Sequence, residues 1–222
     1  MNVFEIISTY HEGLWQGLLV TLRLCLIIWS SGIIIGSLLG VAAAKWRESA
    51  GYFVTSTAFL LSSMPVLVLL FWLHYPAQTA LDIVVDPFYT AALAISVINV
   101  FAVARLIQGA LLDFPKEYLL AARVSGLTEW QSIRFVQFPL IFRQTIPALL
   151  NLQVTMLQAT LFASLISVNE LFRVAEHINS EIYRPVQIYT ALGLFYLMVC
   201  LPMNGLASWL RYSFTRNLSA AE

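Results

Sequence analysis

Residues 113–145 read DFPKEYLLAARVSGLTEWQSIRFVQFPLIFRQT, a polar island between two long apolar stretches. The island holds Lys116, Glu117, Arg123, Glu129, Arg134 and Arg143, yet it keeps helical grammar throughout. Pro115 suits a first helical turn, where its missing N–H would be unpaired anyway. Gly126 suits the left-handed residue that ends a helix. Thr128 and Gln131 have capping-box spacing and start a second helix, which Pro139 is expected to end. Two short helices meeting at a glycine make a rigid knob on the water side of a membrane.

Outward from the knob, the chain becomes apolar in both directions. Stretches at about 14–44, 53–74, 88–112, 146–168 and 187–210 are each long enough to cross about 30 Å of hydrocarbon. Of 222 residues, 59% are hydrophobic and 11% charged, with mean hydropathy +0.79; soluble domains carry about 25% charged residues. The expected fold class is all-α: a polytopic membrane protein with about five transmembrane helices forming a single domain over 1–222. No charged segment followed by a cleavage site opens the chain, so the first span is expected to be retained.

Basic residues collect on one side. Lys45 and Arg47 follow the first span, the 113–145 island supplies four more, and Arg211 and Arg216 follow the last. The other side holds Glu5, Glu12, Asp82, Asp86, Glu170, Glu176 and Glu181, against Arg173 and Arg184. The positive-inside rule then places the N-terminus outside and the C-terminus in the cytoplasm, with the 113–145 segment cytoplasmic.

At the knob the chain resembles a known family. Ala121-Ala122, three intervening residues, Gly126, then Val136, Phe138 and Pro139 follow the spacing of the EAA motif of bacterial ABC-importer permeases, and Gly109 and Pro115 sit as in the polar amino acid type. Leu120 replaces the glutamate that names the motif, and Glu117, one turn earlier on the same face, can substitute. Arg105 and Gln108 stand where the family usually has an acid and an arginine. The resemblance implies the type I ABC-importer permease fold and a multi-pass place in the bacterial inner (plasma) membrane. It implies that Glu117, Tyr118, Ala121, Ala122, Gly126, Thr128, Trp130, Ile133 and Pro139 dock on an ATPase subunit. The implied partners are a second permease, identical or homologous, cytoplasmic ATPases that hold ATP and magnesium, and a periplasmic or extracellular substrate-binding protein. The implied cargo is a polar amino acid or related small solute.

The spans carry further signals, each open to two readings. Gly32, Gly36 and Gly40 make a smooth stripe, for packing inside one bundle or for a subunit contact. Pro65 after Ser62 and Ser63 predicts a kink, either a gate or a packing bend. Arg23 either snorkels to the outer headgroups or faces a polar interior. Arg105, with Gln108 on its face and Asn99 a little earlier, either meets a substrate carboxylate or serves an internal pair. Asn151, Thr155 and Gln158 form one polar stripe, lining a pathway or bonding another helix. Residues 169–184 form an outer, periplasmic amphipathic stretch, whose Glu170, Arg173 and His177 either dock the binding protein or are simply solvated.

Other chemistries lack their residues. There is no GxxxxGK[ST] phosphate loop, so this chain is not expected to hydrolyse ATP, and no cofactor of its own is indicated. His11, His74 and His177 lie far apart, no metal site is indicated, and no basic run suggests nucleic acid. Cys25 and Cys200 read as small buried hydrophobes. The alternative function, an ion-coupled secondary transporter without an ATPase, would need intramembrane acids, and all the acidic residues fall outside the proposed span centres.

Overall fold

The structure is a computed structural model that describes residues 2–219. The side chain of Arg216, one of the basic residues after the last span, lies outside the described part. No strand occurs among the described residues.

A short helix, α1 (Val3–Thr9), precedes the first span, α2 (His11–Lys45). The second expected span is broken into α3 (Arg47–Ser63) and α4 (Val66–Leu81), bent by 95°. The third is α5 (Pro87–Leu112), opened by the Asp86 carboxylate accepting the Phe88 N–H at 2.8 Å. Then come α6 (Lys116–Val124), the long α7 (Glu129–Ile166), α8 (Leu171–Ile182) and α9 (Pro185–Ser219). Among the described residues, four helices are long and apolar enough to cross a membrane, five spans if the bent pair counts as one.

Two expectations need correction. The 53–74 stretch is not one kinked helix, because the chain is extended at Met64 (ψ 127°) and Pro65 (ψ 132°). Proline disfavours helical geometry in the residue before it and donates no hydrogen bond. Ser62 and Ser63 both turn their hydroxyls back to the Phe59 carbonyl, at 2.9 and 2.8 Å. Pro139, by contrast, does not end a helix: α7 runs through it. A wide π-type turn over Ile133–Gln137 comes directly before that proline, which re-spaces the carbonyls that its ring would otherwise meet.

Burying apolar surface in hydrocarbon yields no gain between helices, so spans hold together by close contact. The glycine row supplies that contact. A Cβ at Gly36 would lie 2.7 Å from the Val100 carbonyl oxygen, one at Gly40 2.6 Å from that of Ala104, and one at Gly32 would strike the Asn99 amide. Contacts rise together along both helices, so α2 and α5 are parallel. The stripe is therefore a packing face within this chain. Around α5, Leu24 and Ile28 of α2, Leu70 of α4, and Met156, Ala163 and Ile166 of α7 pack against Ala91 and Ile95. Cys25 and Cys200 are free thiols, buried with Val154 and Leu157 between α2, α7 and α9.

Candidate functional site: a capped helix pair joined to a polar-striped span

The 113–145 segment folds as its sequence dictates. Helix α6 starts after Pro115 and ends in a Schellman turn: the Leu127 N–H reaches the Ala122 carbonyl at 3.1 Å, and the Gly126 N–H reaches that of Arg123 at 3.0 Å. Gly126 adopts φ +81°, where a side chain would be strained. Thr128 then caps α7. Its hydroxyl accepts the Gln131 N–H at 3.3 Å, and the Gln131 side chain accepts the Thr128 N–H at 2.9 Å. Arg123 meets Glu129 across the junction at 3.5 Å, a surface pair worth little by itself. Only Leu127 separates the left-handed glycine from the cap, so the two helices are fixed to each other by backbone bonding.

Ala122, expected to dock, is instead buried with Phe114 and anchors the knob, and Pro139 is half-buried within α7, whereas Tyr118, Leu120, Val124, Trp130 and Ile133 are exposed. Apolar side chains held outward on a charged segment describe a surface built for contact. Glu117 and Ala121 share that open side. A cleft of about 220 Å³ lies between α6 and the head of α7, lined by Leu119, Arg123, Glu129, Ser132, Ile133 and Gln137.

Along α7 the expected polar stripe is present. Asn151, Thr155 and Gln158 are all exposed; the Thr155 hydroxyl donates to the Asn151 carbonyl at 3.1 Å, and Gln158 also meets the Cys200 thiol of α9. Arg105 is also exposed, its guanidinium donating to the Gln108 side-chain amide oxygen Oε1 at 3.4 Å. Asn99 and Gln108, grouped with these from sequence, lie instead inside the packing. Asn99 is fully buried and bonded to Ile28 and Gln153. Gln108 is buried too, with Thr55 at 3.3 Å and the Gly51 carbonyl at 3.5 Å. The structure thus divides the six candidates into four on open faces and two inside the bundle.

At the other end, the three residues of the 169–184 stretch also separate. His177 is exposed, Arg173 is half-buried and donates to the Ser164 carbonyl at 3.4 Å, and Glu170 is fully buried. Glu170 is the N-cap of α8, accepting the N–H groups of Phe172 at 2.9 Å and Arg173 at 2.8 Å. It therefore cannot touch a docking partner, which corrects the sequence expectation. Burial pushes its carboxyl up to about 7; the two N–H bonds oppose that rise, and Glu176 adds to it. Sequence reasoning missed Thr21, whose hydroxyl accepts the Leu171 N–H at 3.1 Å and so ties α8 to the first span. It also missed Gln153. An apolar cleft of about 320 Å³ between α1, α2, α8 and α9 is lined by Ile6, Leu14, Trp15, Ile178 and Phe195 among others, a lining that offers little to orient a polar solute.

Comparison with known proteins agrees with this architecture. Residues 32–216 match the family model described as binding-protein-dependent transport system inner membrane component. The glutamine transport system permease protein GlnP of Escherichia coli K12 is 28% identical, with 85% of this chain and 87% of that protein covered. The histidine/lysine/arginine/ornithine transport system permease protein HisQ of Salmonella typhimurium is 25% identical, over 93% of this chain and 95% of that one. Among solved structures, an amino acid ABC transporter crystallised with histidines superposes with TM-score 0.82 at 22% identity, covering 93% of this chain and 96% of that one. The inward-facing MetNI methionine ABC transporter gives TM-score 0.65 at 19% identity, covering 96% and 98%. These two likenesses speak to the fold.

Proposed function

The chain belongs to the family of binding-protein-dependent transport system inner membrane components, and on that premise we propose that it is the pathway-forming permease of an ATP-driven importer for a polar amino acid or related small solute. It is a bacterial inner-membrane permease subunit and not itself an ATPase. The observation that carries the reading is mechanical: a helix pair locked by a Schellman turn and a capping box runs without a break into the span that bears the polar stripe.

In this reading the N-terminus is outside, segment 113–145 is cytoplasmic and segment 169–184 is periplasmic, as the basic residues require. A cytoplasmic ATPase carrying ATP and magnesium engages Glu117, Tyr118, Ala121, Gly126, Thr128, Trp130 and Ile133. The exposed apolar side chains fill its surface while Glu117 supplies a charge. Nucleotide-driven closure of paired ATPases moves the knob, and α7 carries the displacement into the membrane as one rod. A second permease, identical or homologous, completes the pathway, so that Asn151, Thr155 and Gln158 face the solute rather than lipid. Arg105 supplies the cation that meets a solute carboxylate. A substrate-binding protein delivers cargo at the outer surface near His177.

The amino acid cargo is supported by the names of the relatives, which transport glutamine or basic amino acids. The test is reconstitution of the chain with its ATPase and binding protein in liposomes. Uptake of a labelled polar amino acid that requires ATP inside is the expected result; uptake driven by an ion gradient without ATP would overturn the proposal.

A further inference from the structure

We infer that the buried Asn99–Gln153 amide pair is a positioning clamp that sets the rotation of α7 and thereby aims Asn151, Thr155 and Gln158 at the pathway. The inference rests on the pathway reading above. Asn99 Nδ2 donates to the Ile28 carbonyl of α2 at 2.8 Å and to Gln153 Oε1 of α7 at 3.0 Å. Gln153 Nε2 returns a bond to Asn99 Oδ1 at 3.4 Å. Trp29 Nε1 donates to the Gln153 backbone carbonyl at 3.1 Å. Two amides facing head to head thus join α2, α5 and α7, and both hydrogens of the Asn99 amide are in use. Gly32 is the condition for this arrangement, since any side chain there would overlap the Asn99 amide.

Helical geometry links the clamp to the stripe. Successive residues turn by about 100° around an α-helix. Measured from Gln153, the positions of Asn151, Thr155 and Gln158 then fall at roughly 160°, 200° and 140°, all on the far side. Turning Gln153 into the core necessarily turns the other three out, and they are exposed while Gln153 is buried. Asn99 and Gln153 are both buried, and a buried amide without a partner is costly, so a rotated α7 would strand both partners. The clamp also lies on the helix that begins in the coupling segment. Motion delivered there reaches the stripe without being lost as rotation.

The test uses the assembled transporter with Cys25→Ala, Cys200→Ala and Thr155→Cys, treated with a charged, water-soluble thiol reagent. Reaction is expected with the clamp intact. Gln153→Leu should slow it by about fivefold or more, as the aligned rotation becomes a minority of the ensemble. Equal rates in the two backgrounds would overturn the clamp and leave the pathway reading standing. No reaction in either background would overturn the pathway reading and the clamp with it. Asn99→Cys with Gln153→Cys, joined by a short bis-methanethiosulfonate whose two disulfides a reductant cleaves, covers the case in which Gln153→Leu does not assemble. ATP-driven uptake should persist when the pair is linked, because the clamp stays closed through the cycle. Uptake lost on linking and regained on reduction would overturn the inference.

Discussion

Gly126 gives the sharpest prediction, because structure separates two causes that sequence leaves merged. The sequence marks Gly126 both as a left-handed helix end and as a docking residue, so either backbone shape or side-chain volume could be what matters there. A Cβ added there meets nothing within 4 Å, so volume is not the constraint. The constraint is φ +81°, which an L-residue with a Cβ reaches only at a cost of roughly 1–2 kcal/mol. The Schellman bonds to Ala122 and Arg123 hold the chain in that conformation, so a variant must either bear the strain or lose them. Converted to an equilibrium constant, the strain lowers the ratio of competent to incompetent knob roughly 5- to 30-fold, which bounds the loss of apparent affinity for the ATPase. Gly126→Ala should show this loss, and Gly126→Val, β-branched, a larger one. Gly126→Asn should stay close to the parent, since asparagine visits the left-handed region readily. The assay is a titration of ATPase onto detergent-solubilised permease, with uptake measured in parallel. Equal binding by the Ala, Val and Asn variants would refute the backbone argument. A loss that simply followed side-chain size, with Asn worse than Ala, would refute it as well.

Three other outcomes are expected. Gly36→Ala should destabilise the bundle by about 1–3 kcal/mol, because its new methyl lies 2.7 Å from a backbone carbonyl oxygen that cannot move unless α2 and α5 part; Gly193→Ala, with open space around it, is the control, and equal thermal unfolding of the two would contradict this. Glu170 has a carboxyl pushed up from 4.5 to about 7, so the folded state holds its proton more tightly; that contribution is complete below pH 4.5 and is lost as pH rises through 7. Melting temperature should therefore decline from acid to mildly alkaline buffer, and Glu170→Gln should flatten the decline; an unchanged slope in the variant would count against it. Arg105→Ala should weaken uptake of solutes bearing a carboxylate while leaving basal ATP hydrolysis of the complex intact, and unaltered uptake kinetics would remove Arg105 from the pathway.

Much of this was legible in the sequence wherever local chemistry decides the outcome. Gly126, Thr128 and Gln131 act within a single turn, so their roles follow from spacing alone. The glycine row likewise announces a close helix contact, although only the structure shows that α5 is the partner. What escaped lies in contacts between distant parts of the chain. Nothing in the order of residues says that Asn99 finds Gln153, so one entered the sequence reading as a pathway residue and the other did not enter it. Glu170 was misplaced for a different reason: glutamate is an uncommon N-cap, and beside Arg173 and His177 it reads as a surface charge. Pro139 misled because the stop rule assumes an ordinary helix before the ring, and the wide turn at Ile133–Gln137 removes that assumption.

The same prolines also explain how one chain provides both a straight-through rod and a bent arm. In α7, Pro139 and Pro147 are carried inside a continuous helix, and the Asn99–Gln153 amides fasten that helix to α2 and α5. In the second stretch, Pro65 follows two serines that already draw on the Phe59 carbonyl, and the helix breaks through 95°. Each half is held to α5 separately, by Thr55 to Gln108 at 3.3 Å on one side of the break and by Gln78 to Thr90 at 3.0 Å and buried Leu70 on the other. A displacement entering at the knob therefore meets a stiff block of α2, α5 and α7. It can be absorbed at Met64–Pro65, where no backbone hydrogen bond from a prolyl nitrogen has to be broken.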